Sequence, residues 1–169
     1  MRCIDIEFRR ADQWGLVELM DQIGVYSIWS GNADVRPSYI GEGYILHRIV
    51  NEHHSDSNKA SRNTFDGAIG ILGEKRAKIP KQEAEIVEAL LLYVAREIDR
   101  YPTHNRSFGK HSRIERVLAN HATLRVAVRG LDPLRQPESA PITGKKLITI
   151  GWRRNGEIFV EHDWNMRPR

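Results

Sequence analysis

Cysteine is almost missing from this chain: Cys3 is the only one in 169 residues. No internal disulfide can form, and no cysteine-rich zinc site can be built. A reducing, intracellular setting suits such a sequence. Also lacking are an apolar run of membrane-spanning length and a charged-then-apolar opening segment, so a soluble, cytoplasmic protein with no membrane partner is expected. Internal repeats and long low-complexity tracts are absent. What remains is a chain long enough to bury a core without staples, as one compact domain or a small domain with an extension.

Charge is present but unevenly placed. The net charge is +4. Residues 1–99 hold 12 Lys/Arg against 16 Asp/Glu, a balance of −4, and residues 100–169 hold 14 against 6, a balance of +8. A basic C-terminal part suits a polyanion such as nucleic acid, and equally describes a solvated basic surface.

The hydrophobic pattern gives a coarse element order. Residues 3–8 alternate apolar and polar as in a half-exposed strand. Ala11 to Gln22 reads as a short helix with Trp14, Leu16, Val17 and Met20 as its apolar positions. Two strands carrying Tyr26 and Tyr39 follow, with turn residues Ser30-Gly31-Asn32 and Pro37 between them, which makes a hairpin. Tyr44 to His54 has helical spacing, residues 55–64 are a polar loop, and Phe65 to Leu72 reads as a strand. Pro80 opens the strongest helix, to about Arg100, and residues 110–121 form a shorter one. A proline-rich connection over 130–144 leads to a closing hairpin, 146–153 and 157–164, around Asn155-Gly156. Strands and helices mix without the regular alternation of a parallel α/β protein. The expectation is α+β, a small mainly antiparallel sheet flanked by helices, with a core over 1–106 and a basic extension over 107–169 packed on it.

Two triplets stand out: Gly24-Val25-Tyr26 and, thirteen residues after that tyrosine, Tyr39-Ile40-Gly41. Arg48 follows Gly41 by seven positions, Glu88 lies in an apolar helical run (Glu88-Ala89-Leu90-Leu91-Leu92), and Pro102-Thr103-His104-Asn105 follows. In this order and spacing, over roughly residues 22–106, the pieces resemble the GIY-YIG nuclease superfamily. The resemblance implies a divalent-metal-dependent endonuclease that hydrolyses phosphodiester bonds in DNA, with Mg2+ as cofactor or Mn2+ in its place. It also implies roles. Tyr26 would activate the water, Tyr39 would position the water or the scissile phosphate, and Arg48 would fork onto phosphate oxygens. Glu88 would hold the metal, and Asn105 would organise the site or touch a phosphate.

Spacing leaves the carboxylate open between two residues. Glu88 sits at one edge of the helix's apolar face, 17 residues before Asn105; Glu97 lies near the opposite edge, eight before it. His53 points towards the apolar face of the Arg48 helix and would support the site. Lys110 and Arg113, just after the core, and Arg153 and Arg154, in the tail hairpin, are the candidates for gripping unreactive phosphates.

The compact length favours a stand-alone, restriction-type enzyme, and a homodimer would let two sites cut both strands. A structure-specific repair or recombination nuclease, a nucleic-acid-binding module that kept the fold and lost catalysis, and a regulatory domain are the competing readings.

Overall fold

The computed structural model describes residues 2–29, 36–49, 66–74, 78–102, 105, 111–119, 122–135, 142 and 144–164. These form an α+β structure around one seven-stranded sheet in the order β3-β2-β4-β1-β5-β6-β7. The strands are β1 (Arg2–Arg10), β2 (Gln22–Trp29), β3 (Tyr39–Tyr44), β4 (Asp66–Glu74), β5 (Thr123–Gly130), β6 (Lys146–Trp152) and β7 (Ile158–His162). Every neighbouring pair is antiparallel except β1 with β5. The helices are α1 (Leu16–Leu19), α2 (Ile45–His47), α3 (Lys78–Glu97) and α4 (His111–Leu118).

Alternation fixes the two faces. One face carries Ile4, Ile6, Phe8, Ile23, Val25 and Ile40, which pack with α3 and α4 in the main core. The other carries Tyr26, Ile28 and Ile69, packed with Leu19 of α1 and Ile45 of α2 in a smaller core. Helix α3 is buried nearly all round from Ile86 to Leu92, since the sheet lies on one side and α4 on another. It ends in a Schellman motif: Asp99 takes φ +57, Arg100 N donates to Ala95 O and Asp99 N to Arg96 O. That sharp stop turns the chain into Tyr101 and Pro102.

Three expectations change. Residues 11–22 are not one helix: a 3-10 turn (Ala11–Gln13) and the four-residue α1 replace it. Trp14 turns inward instead, its indole N–H donating to Ile69 O, while Leu16 and Val17 stay 70% and 80% exposed. Residues 123–130, assigned to no element from the sequence, form β5, which pairs in parallel with β1 over seven residues. β5, β6 and β7, all after residue 107, continue the same sheet. Of the expected helix over Tyr44–His54, α2 covers Ile45–His47, with π-type turns at 48–49; the remainder, and the polar loop 55–64, lie outside the described residues.

The tail is tied down by one buried carboxylate. Asp132 accepts from Trp164 Nε1 at 3.0 and 3.1 Å and from Leu134 N at 3.0 Å, with Lys146 Nζ 3.5 Å away. Asp132→Ala is expected to cost about 3–5 kcal/mol, because it leaves buried donors and a cation without their acceptor. Urea unfolding followed by tryptophan fluorescence would measure this; a loss under about 1 kcal/mol would mean that the tail is held elsewhere.

Candidate functional site on the edge of β3

The hairpin register brings the two tyrosines together. Tyr26 pairs with Gly41 and Ile28 with Tyr39, so both phenols lie on the same face, with ring centroids 6.0 Å apart. Gly41 lies between them on that face. A Cβ there would come within 2.5 Å of the Tyr39 ring and 2.6 Å of the Tyr26 hydroxyl. The glycine of the second triplet is thus explained by the rings of both tyrosines. The two are not equally accessible. Tyr26 is fully buried with Ile28, Ile45 and Ile69, whereas Tyr39 is partly exposed.

β3 is an edge strand, and its free side is closed by two side chains that the sequence had marked for chemistry. Asn105 Oδ1 accepts from Ile40 N at 2.9 Å, and Asn105 Nδ2 donates to Ile40 O at 2.8 Å. The amide stands in for one residue of a missing neighbour strand. Two residues along, Arg48 Nε donates to Glu42 O at 3.2 Å. Its guanidinium is held against the strand rather than solvated at the surface. Gly43 makes room for it: φ is +128, and a Cβ would lie 3.1 Å from Arg48 Nε. Asn105 therefore positions the Tyr39-Ile40-Gly41 strand, and its amide is directed at main chain.

Glu88 arrives from the other face. It is 8% exposed, within the buried stretch of α3. Its charge acts on Tyr101, whose phenol is pushed above its ordinary pKa first by burial and then by the Glu88 carboxylate, with Arg96 opposing. Tyr101 is a neighbour that the sequence reading did not single out; the signal was its place beside Pro102. Glu97, the other candidate, is exposed, and its charge raises the pKa of Tyr93, after the larger effect of burial. Lys81, two turns before Glu88 on the same helical stripe, lines a cavity of about 270 Å³ with Ile23, Glu42, Gly43, Tyr44, His47 and Arg48. The phenols and Glu88 thus lie on opposite faces of the sheet.

The remaining candidates lie apart. Arg153 and Arg154 are exposed at the β6–β7 turn, five strand spacings from β3, about 24 Å across the sheet. β3 and β6 run in the same direction, so this turn is at the same end of the sheet as the Arg48 cavity. Lys110 and His53 lie outside the described residues; Arg113 falls in α4, with its side chain likewise outside them.

Among the described residues no group of three or more His, Cys, Asp or Glu side chains could form a metal cage. Glu88 offers a carboxylate, the donor type that a hard cation takes, at 8% exposure. No helix among the described residues is long and apolar enough to cross a membrane. A scan against family models and searches of curated proteins and of solved structures each return no match.

Proposed function

We propose that this chain is a divalent-metal-dependent endonuclease acting on DNA, with its site wrapped round the free edge of β3. The observation that carries the reading is the pair of tyrosines on one face at the edge where Arg48 is held. Glu88 would bind Mg2+ or Mn2+ through its carboxylate, and the bound cation would supply a Lewis acid for the charge that grows on the phosphate. Arg48, held against the strand by its Nε on Glu42 O, would meet phosphate oxygens with its guanidinium. Asn105 keeps the strand in register from outside.

Burial redistributes the phenol roles. Tyr39, partly exposed, is the phenol that meets the attacking water or the phosphate; Tyr26 lies beneath and sets the position of the Tyr39 ring. Tyr39→Phe is therefore expected to slow cleavage by about 10²–10³-fold, the scale of a lost transition-state hydrogen bond. Tyr26→Phe should slow it less. Single-turnover cleavage of a labelled duplex by both variants would check this; a larger loss from Tyr26→Phe would restore Tyr26 as the group that activates the water. Whether the enzyme is restriction-type, repair-type or dimeric belongs to the same proposal, and nicking against double-strand cutting of a supercoiled plasmid separates these cases.

A further inference from the structure

The turn between β6 and β7 is held in one shape by its own hydrogen bonds. Arg153 N donates to Glu157 O at 2.7 Å and Gly156 N to Arg153 O at 3.0 Å, with Gly156 at φ +82. Asn155 fixes the crown: its Oδ1 accepts from Glu157 N at 3.2 Å, and its Nδ2 donates to the Glu157 carboxylate at 2.8 Å. The acid of the turn is thus engaged by an amide rather than by an arginine. Arg153 and Arg154 are both exposed, and among the described residues they pair with no carboxylate.

Trp152 stands next to them at the end of β6. It is 42% exposed, the one aromatic among the large apolar side chains left open in the described residues. Its indole Nε1 lies 3.5 Å from Leu118 O and donates to it at the end of α4, and Ile158 is its cross-strand partner. That contact needs only the Nε1 edge and leaves much of the ring in solvent. With the N–H directed at main chain, the ring offers a π surface and no hydrogen bond to a partner. Paired bases show a groove only their edges, whereas an unpaired base presents a face on which an aromatic ring can stack. Two exposed guanidinium groups beside the ring are suited to the phosphates on either side of such a base.

We infer that the β6–β7 tip is a single-strand contact, in which Trp152 stacks on one unpaired base while Arg153 and Arg154 take neighbouring phosphates. The inference rests on the proposed function only for the class of partner, a nucleic acid. Tryptophan fluorescence would be titrated with an oligo-dT strand and with a blunt duplex of equal length, over a salt series and without divalent metal. The wild type should bind the single strand more tightly, with quenching of its emission. Trp152→Ala should weaken single-strand binding by roughly 5- to 150-fold, the scale of one base stacked on an aromatic ring, and keep the salt slope. Trp152→Phe, which keeps a ring and so guards against misfolding, should bind nearly as well and lose the quench. Arg153→Gln combined with Arg154→Gln should reduce the log–log salt slope by about 1.4, two single-strand phosphate contacts. No single-strand binding by the wild type, equal affinity for the blunt duplex, a quench that persists in Trp152→Phe, or an unchanged slope in the double arginine variant would overturn the inference. A protein that binds oligo-dT through Trp152 and never cleaves would sink the nuclease reading and leave this contact standing; metal-dependent cleavage with no quench would do the reverse.

Discussion

Glu88→Gln is expected to abolish metal-dependent cleavage, by at least about a thousandfold, and to leave duplex binding near the wild-type value. The amide keeps the side-chain volume inside the buried stretch of α3 and removes the charge that would hold the cation. A thousandfold loss corresponds to about 4 kcal/mol of transition-state stabilisation, within the range of a Lewis acid at a phosphate. The substitution has a second readout that needs no activity. Glu88 is one of the causes that raise the Tyr101 pKa, so Glu88→Gln should lower that pKa part of the way, with the larger contribution from burial remaining. The sign follows from the charge: a nearby carboxylate disfavours the phenolate, and removing it relieves that penalty. Mg2+ added to the wild type should move Tyr101 in the same direction, and Mg2+ added to Glu88→Gln should not. If Glu97→Gln abolished cleavage and Glu88→Gln did not, the exposed carboxylate would be the metal ligand.

Gly41→Ala should combine a stability loss with a loss of function. A single methyl would meet Tyr39 at 2.5 Å and Tyr26 at 2.6 and 2.8 Å, closer than packed atoms approach, and both rings belong to the smaller core. Overpacking of this kind costs about 1–3 kcal/mol. For a chain of this length that is roughly 2–4 °C in melting temperature for each kcal/mol. Cleavage should fall much further than stability, because the methyl displaces the phenols while the far half of the sheet is untouched. Thermal melts and single-turnover rates on one preparation would separate the two effects. A fully active Gly41→Ala would mean that neither ring position matters to the reaction.

Local signals were sufficient for some parts of this molecule. The Tyr26–Tyr39 hairpin, α3 and the tail hairpin around Asn155-Gly156 are set by alternation, helical period and turn residues, all of which act over short distances. The segment over 11–22 misled because Leu16, Val17 and Met20 have helical spacing, yet Trp14 docks on Ile69 and a turn must follow before β2. In β5, Leu124, Val126 and Val128 alternate with Thr123 and Arg125, but Ala127 is buried as well, which blurs the pattern. Its partner β1 lies about 120 residues away, and no local pattern announces a parallel pairing.

The candidate site divides in the same way. Residue types and order nominated Tyr39, Arg48, Glu88 and Asn105. What Asn105 and Arg48 hold could not be read from spacing, because both answer to the free edge of β3, a property of strand order. Burial separates Tyr26 from Tyr39, although each has the same kind of place in its triplet. Lys81 reads in the sequence as one lysine at the start of a helix; the fold places it in one cavity with Arg48.

The central claim, that metal-dependent phosphodiester hydrolysis occurs at the β3 edge, is tested most directly by one comparison. Wild-type protein and Glu88→Gln, purified in parallel, would be incubated in excess over supercoiled plasmid with Mg2+, with Mn2+ or with EDTA. The wild type is expected to nick or linearise the plasmid with either metal and not with EDTA, and Glu88→Gln to leave it supercoiled throughout. Intact plasmid with the wild type and both metals, or equal cleavage by the two proteins, would contradict the account.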